Sequence, residues 1–170
     1  MNLDYFISSL PLLLEGQSAK MTLEGFRAAC DSELTGSIAR AVNAILNDCD
    51  DSHPFVRAWR DADAQIRNVV AIERTRRRGE QPSKAPRLET AGCDGTIAPA
   101  ITAAFALSDP LQRERAIAHL RWTILDSLQG VQPLSENVIL AFAAKIQINE
   151  KLLAADAAKG AESFKALTKR

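Results

Sequence analysis

The chain has 170 residues and a mass of 18.5 kDa, with 46% hydrophobic and 25% charged residues, a balance that excludes wholesale disorder. Lys plus Arg and Asp plus Glu number 21 each, giving zero formal net charge and a pI near 6.7. No global field therefore draws the chain onto nucleic acid or an anionic membrane.

Nearly every segment has helical period. Asp4-Tyr5-Phe6-Ile7 is short and reads as extended, and Pro11 interrupts the backbone pattern after it. Thr22 is placed to cap a short helix with Leu23, Phe26 and Cys30 on its apolar side. Ser37 is placed to cap another, with Ile38, Val42, Ile45 and Leu46 on one face. The strongest element begins at Ser52-His53-Pro54, where proline suits the first helical turn. Its seam runs Phe55, Trp59, Ala62, Ile66 and Val69, with Val70 beside it, and the spacing predicts a helix over 54–78, about 37 Å long. Its far side carries Asp61, Ala64, Asn68 and Ala71, small or polar residues that let a second element approach.

Residues 79–95 hold three glycines and two prolines without periodicity, and read as a linker or mobile loop. A helix follows Thr96, with Ile97, Ile101, Ala104 and Phe105 on one side. Asp109-Pro110-Leu111-Gln112 is a start signal for the next, which carries Ile117, Leu120, Ile124 and Leu128 and stops at Gly130. Ser135 is placed to cap the last long helix, with Leu134 and Ile139 as a hydrophobic staple and Ile139, Phe142, Ile146, Asn149 and Leu153 as seam. Gly160 reads as its stop, and Phe164 and Leu167 mark a final short helix. These segments sum to about 60% helix, well above the globular average. The expected fold is all-α: a mostly antiparallel bundle of six to seven helices forming one domain, with the 79–95 loop between its two halves.

No phosphate-binding loop, dinucleotide fingerprint or nucleophile elbow is present. No apolar run approaches ~18 residues, so no spanning helix is expected. Asp4 and Pro11 stand where a signal peptide would need a basic start and an apolar stretch. Cys30, Cys49 and Cys93 are widely spaced and odd in number, which reads as reduced thiols of a cytosolic protein. His119 follows Glu114 at i+5, a spacing that does not put two ligands on one helix face, so it reads as a surface or boundary histidine. Asp48, Asp50 and Asp51 precede a helix start, where they complement its dipole or, in the sharper reading, bind a metal. No catalytic, cofactor-binding or metal-ligating residue is expected.

The charge distribution is more telling than its total. Residues 1–53 carry eight acidic against three basic residues, and residues 54–78 carry seven arginines against three acids. Arg74, Arg76, Arg77 and Arg78 end the long helix, where cations complement the dipole, while Glu73 can pair with Arg77. The same arginines could touch nucleic-acid phosphates or dock on an acidic protein. No aromatic residue accompanies them to stack on bases. Asn149 in an apolar seam and Asn68 on the small-residue side either fix register or partner choice, or face solvent.

Trp59-Arg60-Asp61, Ile66-Arg67-Asn68-Val69, Ile72, Arg74, Arg76 and Gly79 together resemble a stretch of the C-type socket subunit of V/A-type ATP synthases and ATPases. The run from Glu136 to Glu150 is similar to the other recurring helix of that family. A closer likeness is to a short bacterial family encoded beside V-type ATP synthase genes. It is carried by Tyr5-Phe6-Ile7-Ser8-Ser9-Leu10-Pro11, by Asp109 to Glu114 and by Leu120-Arg121-Trp122. The likeness covers most of the chain outside the 79–95 loop. It implies a non-catalytic, all-helical part that couples a rotor shaft to a membrane ring, located in the cytoplasm and peripheral to the inner membrane through its complex. At half the length of a full member of the socket family, and without an internal repeat, the chain would supply part of such a socket. The expected contact residues are Arg67, Asn68, Arg74, Arg76 and Lys145, with Trp59 and Trp122 in the core. The expected partners are the proteins of the shaft and the ring, not nucleic acid.

Overall fold

A computed structural model describes the backbone of residues 3–168 and the side chains of residues 3–155. Among the described residues seven helices follow one another: α1 (Leu3–Ser9), α2 (Leu23–Glu33), α3 (Gly36–Leu46), α4 (Pro54–Arg77), α5 (Ile97–Ala106), α6 (Pro110–Gln129) and α7 (Glu136–Thr168). The fold is all-α, and no strand occurs among the described residues.

The first part of α7 is the axis of the bundle, and the helix is touched by α1, α2, α3, α4 and α6. From Ile139 to Ile146 every residue is buried, so this stretch is enclosed on all sides and not along a single seam. Around it packs one apolar cluster that includes Phe6, Phe26, Val42, Val56 and Leu125. A second cluster joins Ile66 and Val70 of α4, Ile117 of α6 and the predicted face of α5, Ile97, Ile101, Ala104 and Phe105. Helices α4 and α6 contribute to both clusters and so tie the two halves together.

Contacts at the helix ends set the directions. His53 Nε2 lies 3.5 Å from Glu136 Oε2, which brings the starts of α4 and α7 together. Asn137 Nδ2 donates to the Leu128 carbonyl at 3.2 Å, so α6 ends where α7 begins and runs against it. The caps explain why these helices start and stop where they do. Thr22 Oγ1 accepts from Gly25 N–H at 3.1 Å, and Asp109 Oδ1 accepts from Leu111 N–H at 3.0 Å ahead of Pro110. At the end of α4, Gly79 N–H donates to Arg76 O at 2.9 Å and Glu80 N–H to Thr75 O at 3.2 Å. That paired closure needs a left-handed residue after the cap, and Gly79 supplies it at φ 75°.

Several sequence expectations need correction. The segment Asp4 to Ile7 is helical, because burying Phe6 and Ile7 decides a pattern too short to decide itself. Helix α3 starts at Gly36, one residue before the expected Ser37 cap, behind Thr35. Helix α5 does follow Thr96 as expected, and Thr96 N–H and hydroxyl donate to Asp94 Oδ1 at 2.8 and 2.7 Å. Ser135 Oγ turns back to the Gln132 carbonyl at 3.1 Å, so the hydroxyl does not cap α7, and Leu134 stays exposed. Gly160 lies inside α7 and does not end it; the side chains of Phe164 and Leu167 lie outside the described residues.

Candidate functional site: an arginine-lined groove between α4 and α6

The arginines of α4 separate by face. Arg60 Nη1 meets Asp48 Oδ1 at 2.9 Å, and its Nε meets Asp50 Oδ1 at 2.7 Å. Arg67 Nε meets Asp63 Oδ2 at 2.6 Å, and its Nη2 meets Asp48 Oδ2 at 3.2 Å. Burial pulls the Arg67 guanidinium down, but Asp63 and Asp48 outweigh it and hold its pKa above the ordinary value. Asp51 Oδ1 accepts from His53 N–H at 2.8 Å, at the helix start. Two of the eight acids of the first third, Asp48 and Asp50, thus neutralise Arg60 and share Arg67 within the chain. Asp48 does so from a left-handed backbone, φ 56°, at the position after α3 where glycine is usual.

Arg76 and Arg77 also turn inward. Arg76 pairs with the buried Glu73, whose Oε1 also accepts from Thr102 Oγ1 of α5 at 3.2 Å. Glu73 therefore pairs with Arg76 and not with Arg77. Arg77 Nη2 donates to the Phe105 carbonyl, and its guanidinium sits 5.2 Å over the Phe105 ring. Arg113 of α6 stacks on the same ring at 5.1 Å and donates from Nη2 to the Leu107 carbonyl at 3.1 Å. Both cations complement the carbonyl end of α5.

Arg74 near the end of α4 and Arg78 at its C-cap are one turn apart and largely exposed, and Arg78 Nε meets the neighbouring Glu80 Oε1 at 3.1 Å. They sit between two adjoining concavities of about 330 and 280 Å³ along the α4–α6 seam. The larger adds Arg67 and Arg121 over a floor of Val70 and Ile117, and the smaller adds Arg77, Arg113 and Phe105. Six arginines line this groove with one carboxylate, Glu114, whose Oε1 is 3.9 Å from Arg74 Nη2. Asp63, with its side chain 13% exposed, orients the groove's inner end by accepting Arg67 Nε and, at 2.8 Å, Arg121 Nε.

Of the expected contact residues, Arg67 and Arg74 line the groove. Arg76 points elsewhere, because two residues along a helix is about half a turn. Asn68 faces the 79–95 segment: its Nδ2 donates to Leu88 O at 2.9 Å and its Oδ1 accepts from Leu88 N–H at 2.6 Å. Asp61 accepts from Ala91 N–H, and Gln65 Oε1 accepts from Asp94 N–H at 2.7 Å. Asp61, Gln65 and Asn68 recur at one face of α4, so the element admitted by its small-residue side is this loop, which is strapped down. Lys145 is only 8% exposed, and its Nζ meets Asp126 Oδ1 at 2.6 Å and Gln129 Oε1 at 3.2 Å, 5.3 Å above the Trp122 ring. It joins α6 to α7 and offers a partner almost nothing. Trp59 and Trp122 are half-buried against the main cluster.

Asn149, 2% exposed, is satisfied in full by the chain's own 14–17 segment. It accepts from Gly16 N–H at 2.9 Å and donates to Leu14 O at 2.9 Å and Gln17 O at 3.2 Å. Exposed His119 pairs through Nδ1 with Glu15 Oε2 at 2.8 Å on the same segment. Sequence reasoning names Arg78 only within the basic run that ends the long helix, and does not bring Arg113, Arg121 or Asp63 into the contact set. The Asp63–Arg67 spacing of i, i+4 is visible in the sequence, whereas the Asp63–Arg121 pair spans 58 positions and leaves no local signal. Among the described residues no group of three or more His, Cys, Asp or Glu could hold a metal ion, and no helix is long and apolar enough to cross a membrane. No protein-family model matches the chain, and no curated protein or solved structure is similar to it.

Proposed function

We propose that this chain is a non-catalytic helical docking protein whose α4–α6 groove receives an acidic segment of a protein partner. The observation that carries the reading is Arg74 and Arg78, exposed on the ridge of an arginine-lined groove whose one lining carboxylate, Glu114, is 3.9 Å from Arg74, with Arg78 meeting the half-exposed Glu80 at 3.1 Å. Exposed guanidiniums steer association and give bidentate carboxylate contacts, while the walls are held by packing and internal pairs. The resemblance to the socket family of V/A-type ATP synthases gives the specific form of the proposal. The partner is then the rotor shaft, with the membrane ring, of a rotary ATP synthase or ATPase.

Nucleic acid is the weaker reading of the same arginines. Arg76 and Arg77, half of the basic run that would face phosphates, are occupied by Glu73 and by the end of α5. Co-purification of the tagged chain from its own cells, membranes included, tests the proposal. Recovery of shaft and ring proteins, lost with Arg74→Glu plus Arg78→Glu and kept with Arg76→Glu, is the expected result. Equal recovery with the native chain and both variants would overturn docking through the groove, and recovery of nucleic acid alone would replace the protein partner.

A further inference from the structure

Beyond its inner end the groove opens into a wider cleft of about 630 Å³, walled by the end of α3 and by α4, α6 and α7. Its volume lies within the range of small-molecule sites, roughly 300–1,000 Å³. The space exists because α6 and α7 present alanines to it, Ala118 and Ala144, where larger side chains would close the gap. The floor is apolar and buried: Ile45, Leu46, Ile148 and Leu152, with Trp59 half-buried at one side.

Polar and apolar groups share the lining of this cleft about equally, with Asn47 accepting from Arg27 and Gln147 donating to the Leu46 carbonyl. Asp48 and Asp63 face it, but both are engaged by arginines, Asp48 by Arg60 and Arg67, and Asp63 by Arg67 and Arg121. Arg121 uses only Nε in that pair, and its two Nη nitrogens make no further hydrogen bond among the described residues. Lys151, one of the lining residues and exposed, makes neither hydrogen bond nor ion pair among the described residues. Two cations with open donors therefore overlook an apolar floor whose acids are already neutralised. Glu114, the remaining carboxylate of the lining, lies toward Arg74.

We propose that this cleft binds a small amphiphilic anion, an apolar body seated on Ile45, Ile148 and Leu152 with a single carboxylate held by Arg121 and Lys151. The chamber supplies desolvation of the body, and the fixed Arg121, oriented by Asp63, supplies a ready donor for the head group. This inference does not rest on the docking reading, because its floor and Lys151 lie outside the arginine ridge formed by Arg74 and Arg78.

The test is a nuclear magnetic resonance titration of the full chain with decanoate below its micelle concentration. Acetate and decyltrimethylammonium serve as controls for head group and body. The expected result is saturable shifts at Ala118, Ala144 and Ile148 with decanoate, none with acetate, and at least tenfold weaker binding of the cation. Lys151→Glu should weaken decanoate at least tenfold, and Ala118→Leu should abolish its binding by filling the chamber. Should Ala118→Leu fail to fold, Lys151→Glu at the exposed mouth decides alone. Equal binding of anion and cation, unchanged binding by Lys151→Glu, or no saturable shift would each overturn the proposal. Loss of decanoate binding with retained partner binding in Lys151→Glu separates this site from the docking groove.

Discussion

Asn68 and Leu88 hold each other by two hydrogen bonds, one in each direction, between a side-chain amide on α4 and a backbone peptide in the long loop. An amide that both donates to and accepts from one residue imitates the pairing of a neighbouring β-strand. The loop between Pro86 and Thr96 is otherwise exposed throughout, so such bonds fix its course where apolar burial does not. Asn68→Ala should raise amide exchange at Leu88 and Ala91 severalfold and change global stability by less than about 1.5 kcal/mol. Hydrogen exchange read by mass spectrometry over residues 85–95 checks this, and unchanged protection there would count against the strap.

Asn149 is the buried counterpart. Its amide closes the 14–17 segment onto α7 with three hydrogen bonds and almost no solvent access. Asn149→Ala leaves a cavity and removes partners from three backbone groups, although the segment itself is largely exposed and water can reach some of them. A loss of about 2–3 kcal/mol is expected in urea unfolding, larger than for Asn68→Ala. Equal effects at the two asparagines would mean that burial does not set the difference.

Much of the architecture follows from local pattern, and the departures have physical causes. The face of α5 and the starts of α4 and α6 are legible, because period, proline and capping residues lie within a turn or two of each other. The enclosed stretch of α7 is legible in principle, since Val138 to Ile146 is apolar in eight of nine positions. Lys145 enters the contact set through the likeness of the Glu136 to Glu150 run, and the partner that ties it inward, Asp126, lies on another helix and leaves no local signal. The groove needs the tertiary structure: Arg113 and Arg121 reach it from α6 and are separated in sequence from every arginine of α4.

The thiols divide by environment. Cys30 is buried on α2, and burial, with a further push from the Asp31 carboxylate, raises its pKa from 9.0 to about 12. Cys49 and Cys93 are exposed. Below pH 9 both folded and unfolded chains keep the Cys30 proton. As pH rises from 9 toward 12 the unfolded chain loses the proton and the folded chain holds it, so stability falls with a slope of up to about 1.4 kcal/mol per pH unit. Urea midpoints measured across that window should decline more steeply in the native sequence than in Cys30→Ala. With a thiol reagent at pH 8, two cysteines should react rapidly and Cys30 only on unfolding. Three rapid thiols would show that α2 does not shield it.

Lys145 separates an internal tie from a partner contact. Its ammonium bridges to Asp126 and Gln129 on α6, and its stem lies in the core beside Trp122. Lys145→Met keeps the stem and removes the charge. Asp126 is 57% exposed at its side chain and regains water when the ion pair is lost. The expected cost is therefore modest, about 1 kcal/mol. Lys145→Glu places two carboxylates against each other at the α6–α7 contact and should cost more, about 3 kcal/mol or above. Thermal unfolding of the two variants gives the comparison, and binding of an acidic partner at a temperature where both are folded gives the control. An internal tie predicts a stability difference with unchanged affinity. Reduced affinity in Lys145→Met, with little change in unfolding, would move Lys145 into the contact surface.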